Sequence, residues 1–261
     1  MSRSLSPYPE FILLKKGVQG LDSEFWIDMI SRRSQGVSPA RIKKVEHYKC
    51  TNGFNHEFLA VHLDHPAINQ PIANPSASKE SRRDRQIVLF VERTAQPDIL
   101  TVLGFSSTSL VAPIPASDLV SIASPKFKDP ISHINEKHKE HILLSTLEFS
   151  GENRPTDRDL SSILQFATTK HPKYDIEYQC FWYAGLVFDA LKDKFCGLKK
   201  DEHADKRGHL KTLKAPIGDG WAELKGEYEK WKSPTESAGV PPTAPITAHY
   251  DHAQQGSLTP S

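Results

Sequence analysis

The sequence is poor in cysteine, and the few cysteines it has exclude two kinds of small domain. Cys50, Cys180 and Cys196 are the three cysteines of a 261-residue chain. None of them forms a CxxC pair, so the spacing indicates neither a disulfide framework nor a cysteine-based zinc site. We therefore expect a protein of a reducing compartment, cytoplasmic or nucleocytoplasmic, that is stabilised by an apolar core.

Long apolar runs and an excess of one charge are also missing. No apolar stretch approaches the roughly 18 residues of a membrane-spanning helix, and the opening residues lack the apolar segment of a signal peptide. The chain has 33 Lys and Arg against 32 Asp and Glu, a formal net charge of +1. We therefore expect no membrane span and no nucleic-acid partner.

Sequence motifs for nucleotides and metals are absent as well. The chain contains no Walker motif and no GxGxxG or GxSxG sequence. The run His62-Leu63-Asp64-His65 has metal-ligating residue types, but it lacks the HExxH spacing and the downstream partner of a zinc site. We predict neither a cofactor nor a metal.

Composition divides the chain into an arm, a domain and a tail. From Ser233 onward prolines and small residues dominate and apolar periodicity stops, so we predict a disordered tail over residues 233–261. Residues 1–36 are interpreted as an N-terminal arm with a short helix, and residues 37–232 as a single domain. The proline-rich segment 65–85 is interpreted as a long excursion between two strands.

Hydrophobic patterns predict mainly strands in the first part of the domain and helices in the second. The predicted strands are 41–49, 54–63, 87–92, 99–105, 119–123 and 141–149, with an Asn-Gly turn between the first two. The predicted helices are 22–33 capped by Asp22, one capped by Thr156, one over about 179–195, and one from 221 to 231. This order favours an α+β fold with an antiparallel sheet over a doubly wound parallel sheet.

The helix over 179–195 carries the most reactive candidate of the chain, Cys180. The helix is apolar on nearly every side, which indicates that it is buried against the sheet. Cys180 falls in its first turn, where the helix dipole and unpaired backbone amides favour a thiolate and can stabilise an oxyanion. The alternative is that Cys180 is a small apolar residue of the core. Cys50 and Cys196 are interpreted as structural.

A thiol nucleophile needs a base, and His56 is the preferred candidate among twelve histidines. It begins an apolar strand that would hold its imidazole rigidly, although a hydrogen-bonded histidine at a sheet rim is the alternative. Glu92, near the end of another strand, can orient the imidazole as the third member of a triad. It can equally pair with Arg93 or with an exposed lysine and contribute little.

These residues lie in motifs that resemble those of a family of uncharacterised proteins from mushroom-forming fungi. The matching motifs are the HEF of residues 56–58, the ER of residues 92–93 and the QCFWYA of residues 179–184, in the family's order of HEF strand, ER strand and QCxWxA helix. The resemblance covers about residues 37–232. It implies no established activity.

More distantly, the order of a His strand, a second strand and a Cys at a helix start is similar to the circularly permuted papain-like proteins. That group includes relatives of the NlpC-type peptidases, the lecithin retinol acyltransferases and the desumoylating isopeptidases. The chain departs from them where Gln179 replaces a frequent Asn before the Cys. The His strand also lacks the flanking glycines and tyrosine of the acyltransferases. The resemblance implies a permuted papain-like fold with a Cys–His pair.

Two hypotheses of different kinds follow from these features. In the first, the protein is a thiol-dependent acyl transferase or hydrolase of amide, isopeptide or ester bonds, acting on an unidentified peptide, protein or acyl substrate. Cys180 is then the nucleophile, His56 the base and Glu92 the orienting group. In the second, the same fold is a non-catalytic binding module. Its surface would use the aromatic residues Phe181, Trp182 and Tyr183 with Trp221 and Trp231, the last two as exposed candidates.

Overall fold

An eight-stranded antiparallel sheet forms the centre of the fold. The structure is a computed structural model that describes residues 17–33, 38–51, 55–64, 86–95, 114–123, 134, 140–175, 177–210, 213–214 and 218–238. The strands of the sheet are β1 (Val18–Asp22), β2 (Arg41–Cys50), β3 (Glu57–Asp64), β4 (Gln86–Ala95), β5 (Ile114–Ala123), β6 (His141–Glu148), β7 (Lys173–Tyr174) and β8 (Leu198–Asp201). Their spatial order is β1-β5-β4-β3-β2-β6-β8, and β7 pairs with β5.

Four helices accompany the sheet over the described ranges. They are α1 (Ser23–Ser31), α2 (Asp157–Lys170), α3 (Cys180–Phe195) and α4 (Trp221–Ala238). A 3-10 helix (Ala204–Lys206) and a two-stranded ribbon of β9 (His209–Leu210) and β10 (Leu213–Lys214) follow β8. The predicted α+β class with an antiparallel sheet is confirmed.

Local capping rules predicted two helix starts correctly. The Asp22 side chain accepts a hydrogen bond from the Glu24 amide at 2.8 Å. Thr156 and Asp159 form a reciprocal capping box, in which each side chain accepts from the other residue's backbone amide. Both arrangements satisfy amides that a helix start leaves without an intrahelical partner.

The helices cover one face of the sheet, and the main core lies between them. Alternate residues of β3 and β4 enter this core, as the two-residue period of a strand requires. They are Leu59, Val61, Leu63, Ile87, Leu89 and Val91. The opposite face carries a smaller apolar cluster that includes Tyr48, Phe58 and Phe90. The two faces of the sheet therefore have different surroundings.

The N-terminal segment and the last helix differ from the sequence interpretation. Over its described residues, the predicted arm contributes the edge strand β1 and helix α1, whose Trp26 and Ile30 are fully buried in the main core. Helix α4 continues past the predicted start of the tail at Ser233, whose hydroxyl donates to the Glu229 carbonyl at 2.8 Å. The tail after Ala238, the excursion at 65–85 and the predicted strand at 99–105 lie outside the described residues.

The arginine of a buried ion pair links the sheet to the segment before α3 and to α3 itself. Arg93 of β4 is fully buried, and its guanidinium donates to both carboxylate oxygens of Asp118 on β5, at 2.7 and 2.8 Å. It also donates to the His171 carbonyl at 2.9 Å and lies 4.7 Å from the Tyr183 ring centre. Glu92 and Arg93 do not pair, because neighbouring strand residues point to opposite faces. The alternative of a Glu92–Arg93 pair is therefore wrong.

Removing the Arg93 charge should destabilise the fold strongly. In Arg93→Met the Asp118 carboxylate stays inside the protein without its cation, which lowers the free energy of unfolding by about 3–5 kcal/mol. The double variant Arg93→Met/Asp118→Leu should recover part of that loss, because neither charge is then left unpaired. Urea denaturation of the three proteins measures both effects.

An exposed ion pair supplies the matched control for this experiment. Lys200 Nζ lies 2.8 Å from Glu148 Oε1, close to the Arg93–Asp118 distances, but both side chains are about half exposed. Lys200→Met should therefore lower the free energy of unfolding by about 1 kcal/mol or less. Equal losses in Arg93→Met and Lys200→Met would contradict the structural role given to the buried pair.

Candidate functional site

Cys180 is the first residue of α3, as the sequence predicted. Asp175 stabilises the turn before the helix. Its carboxylate accepts hydrogen bonds from the backbone amides of Glu177 and Tyr178, both at 2.9 Å. The N-cap residue Gln179 makes no side-chain capping hydrogen bond. Cys180 is 3% exposed and lies at the positive end of the helix dipole.

His56 and Glu92 lie together, His56 just before β3 and Glu92 on the neighbouring strand β4. His56 immediately precedes β3, and Glu92 of β4 stands opposite Phe58 of β3 in the antiparallel register. His56 Nε2 is 3.1 Å from Glu92 Oε2, and its ring stacks on that of Phe58 with centroids 6.1 Å apart. Glu92 is buried, whereas the His56 side chain is 20% exposed. The carboxylate therefore holds the imidazole from the interior side.

The thiol of Cys180 hydrogen-bonds the same imidazole. Burial is the largest influence on the pKa of His56 and lowers it, but the hydrogen bond and charge of Cys180, followed by those of Glu92, raise it to about 10. His56 is then an imidazolium at neutral pH, and a positive imidazolium favours an adjacent thiolate. The structure thus brings all three candidate residues together, with His56 in contact with both Cys180 and Glu92.

Tyr174 of β7 also contacts Cys180, a contact that no sequence pattern predicts. Burial raises the pKa of Tyr174, and the charge and hydrogen bond of the Cys180 side chain raise it further. The backbone N–H of Cys180 also donates to the Tyr174 hydroxyl. Tyr174 is therefore neutral and can donate its own proton toward the sulfur. A single tyrosine in a two-residue strand has no recognisable pattern, so only the structure reveals it.

Cys50 lies closer to the site than its structural interpretation implied. Its backbone N–H donates to the His56 carbonyl at 2.8 Å, which joins the end of β2 to the residue before β3. Burial raises the pKa of Cys50 to about 11, and the charges of Cys180 and Glu92 contribute. Cys50 is therefore a neutral thiol close to the charged groups of Cys180 and Glu92. Cys196, by contrast, is exposed at the C-terminal end of α3.

The aromatic residues proposed for a binding surface lie in the core. Phe181, Trp182 and Tyr183 are buried, and Trp221 is only 5% exposed because its indole packs in the main cluster. The expectation that Trp221 is exposed is wrong, since its Nε1 donates to Asp193 and its ring packs on Tyr228. Trp231 is partly buried against the same cluster. These rings form no shared exposed patch.

The described part of the chain contains no cluster of three or more His, Cys, Asp or Glu side chains placed to hold a metal ion. His62, from the run with metal-ligating residues, instead lies 2.7 Å from Glu46. Within the same residues, no helix is both long and apolar enough to cross a membrane.

Comparison of the chain with protein-family models, with curated proteins and with solved structures finds no match. The resemblances drawn from the HEF, ER and QCxWxA motifs therefore stay predictions.

His56 should remain protonated at neutral pH in the folded protein. NMR titration of its ring carbon in wild type should give a midpoint far above the ordinary value of 6.5. Cys180→Ala should lower that midpoint, because the thiol and its charge are the largest influences that raise the pKa. A wild-type midpoint near 6.5 would contradict the proposed arrangement.

The same shift predicts a pH dependence of stability. The folded pKa of His56 lies above the unfolded value of 6.5, so its contribution is complete below pH 6.5 and is lost as the pH rises toward about 10. His56→Gln should therefore lose less stability than wild type over that interval. Thermal melts at a series of pH values measure the difference, and parallel curves for the two proteins would count against it.

Proposed function

We propose that this protein is a cysteine-dependent acyl transferase or hydrolase that acts on an amide, isopeptide or ester bond. Cys180 is the nucleophile, His56 the base and Glu92 the group that orients the imidazole. The observation that carries the proposal is the position of His56, which bridges a thiol at a helix start and a buried carboxylate 3.1 Å away.

The proposed reaction proceeds in two steps through a thioester. The sulfur of Cys180 attacks the carbonyl carbon, the bond to the leaving amine or alcohol breaks, and His56 gives the leaving group its proton. Water or an acceptor nucleophile then gives a proton to His56 and attacks the thioester, which releases the acyl group and restores the thiolate–imidazolium pair. Glu92 stabilises the imidazolium and holds the ring in one orientation.

The arrangement of elements supports a permuted papain-like fold as part of this proposal. His56 precedes β3 and Glu92 lies on the adjacent β4, both in the first half of the chain, and Cys180 follows them on a helix that contacts both strands. The order His, second strand and Cys helix is the order on which the resemblance to that group depends. A nearly all-apolar α3 also suits a helix that must hold its first residue rigidly against a sheet.

A non-catalytic module on the same fold is the second candidate. The observation that favours it is the 3% exposure of Cys180, because a substrate carbonyl has to reach the sulfur. In that case Cys180 contributes packing and hydrogen bonding only. The two candidates differ in how the thiol reacts and in which substitutions it tolerates.

The reactivity of Cys180 tests the enzymatic proposal directly. We expect iodoacetamide to alkylate Cys180 rapidly well below about pH 8, where an ordinary thiol reacts slowly. His56→Ala should remove this advantage, and Glu92→Gln should reduce it, because the imidazolium then lacks its buried anion. The rate is measured by mass spectrometry of the peptide that contains Cys180.

Exposed Cys196 is the internal control for this measurement. Its alkylation should increase with pH as that of an ordinary thiol and should not respond to substitution of His56. The enzymatic proposal would be rejected if Cys180 in the folded protein reacted no faster than Cys196 at any pH.

Paired substitutions of Cys180 separate the two candidates by stability. A Ser hydroxyl in a polar site finds partners in His56 and Tyr174, so Cys180→Ser should be at least as stable as Cys180→Ala. In a purely structural site the hydroxyl has no assured partner, and Cys180→Ser would lose about 1–3 kcal/mol. Melting curves of the two variants distinguish the enzyme from the non-catalytic module. A Ser variant clearly less stable than the Ala variant favours the non-catalytic module.

A further inference from the structure

Asn55, the residue before His56, combines two uncommon features. Its backbone φ is 54°, in the left-handed region that asparagine tolerates better than most residues but that remains uncommon for it. Asn55 is only 7% exposed, and its side-chain nitrogen Nδ2 is buried without a hydrogen-bond partner. Native proteins rarely leave a buried donor unpaired, and they concentrate strained backbone at functional sites.

Hydrogen bonds hold the two residues that follow Asn55, His56 and Glu57. On one side, the Cys50 amide donates to the His56 carbonyl at 2.8 Å. On the other side, Glu57 is fully buried and accepts from the Gly208 amide at 2.8 Å and from Lys49 Nζ at 3.3 Å. Asn55 therefore lies two residues before the start of β3, next to the residue whose imidazole meets Cys180.

The proposed reaction needs a donor that is not already in use. When the sulfur attacks a carbonyl, the carbonyl oxygen becomes an oxyanion that must be stabilised by fixed hydrogen-bond donors. The backbone N–H of Cys180, a natural candidate, already donates to the Tyr174 hydroxyl. The two N–H bonds of the Asn55 amide have no such engagement.

We propose that Asn55 is a catalytic residue, whose Nδ2 donates a hydrogen bond to the oxyanion of the tetrahedral intermediate formed at Cys180. This inference rests on the proposed function and names the group that stabilises its charged intermediate. The ligand of the Asn55 amide is thus the carbonyl oxygen of an acyl substrate. In the free protein, Asn55 Nδ2 has no hydrogen-bond partner, so it is available to donate to that oxygen.

Two reactions of the same thiol test the proposal. Alkylation by iodoacetamide displaces iodide at a saturated carbon and forms no oxyanion, whereas acylation by p-nitrophenyl acetate passes through a tetrahedral oxyanion. The ratio of the two rates at Cys180 cancels any change in the amount of thiolate. Both rates are measured on the full chain carrying Cys196→Ser, so that the exposed thiol does not contribute.

Asn55→Gly removes the amide while keeping a residue suited to a positive φ. We expect its ratio of acylation to alkylation to fall by about 100-fold, as for the loss of one oxyanion donor elsewhere. Asn55→Asp keeps the size and backbone preference of asparagine but presents no N–H, so its ratio should fall as well. The Asp variant keeps the test open if the Gly variant does not fold.

The outcomes distinguish this inference from the function on which it rests. A normal ratio in folded Asn55→Gly or Asn55→Asp, with a reactive wild type, overturns the role of Asn55 and leaves the proposed function standing. A wild-type Cys180 that neither alkylates nor acylates faster than an ordinary thiol overturns both. Cys180→Ala must abolish both signals, since signals that persist would come from another residue.

Discussion

The contact between Arg93 and Asp118 determines how the two halves of the candidate site meet. Glu92 and Arg93 are consecutive residues of β4, so their side chains point to opposite faces of the sheet. Glu92 faces the side of the smaller apolar cluster, and Arg93 faces the helices. Arg93 donates to Asp118 on β5 and to the carbonyl of His171 at the end of α2. The same strand therefore presents the carboxylate that holds His56 and the cation beside the start of the cysteine helix.

Directional contacts of this kind matter because α3 is apolar on nearly every side. Apolar packing is strong but tolerates small rotations and shifts of a helix, whereas hydrogen bonds and ion pairs do not. Three such contacts fix α3: the Arg93 guanidinium near the Tyr183 ring, Trp182 Nε1 donating to the Asp219 carbonyl at 2.8 Å, and Arg207 paired with Asp189 at 2.7 Å. A buried ion pair adds little net stability compared with an apolar replacement, so its contribution here is to geometry.

The sequence could predict whatever short-range chemistry determines. Capping residues predicted the starts of α1 and α2. The apolar run after Asp175 predicted α3 and placed Cys180 in its first turn. Strands β1, β7 and β8 were missed because they are short and lack apolar alternation; β8 reads Leu-Lys-Lys-Asp. Tyr174 and the partner of Arg93 were missed because their contacts depend on the order of strands in space, which local patterns do not contain.

The described edges of the sheet have a consequence for association between molecules. The sheet ends at β1 and at β8, and an edge strand offers unpaired backbone groups to which another chain's strand can add. Strand β8 is four residues long and carries Lys199 and Lys200. Strand β1 is five residues long and contains Gly20, which favours extended pairing poorly. Short, charged or glycine-containing edge strands disfavour pairing between the sheets of two molecules. The short length and the lack of apolar alternation that make β1 and β8 hard to predict therefore also disfavour aggregation of the folded chain.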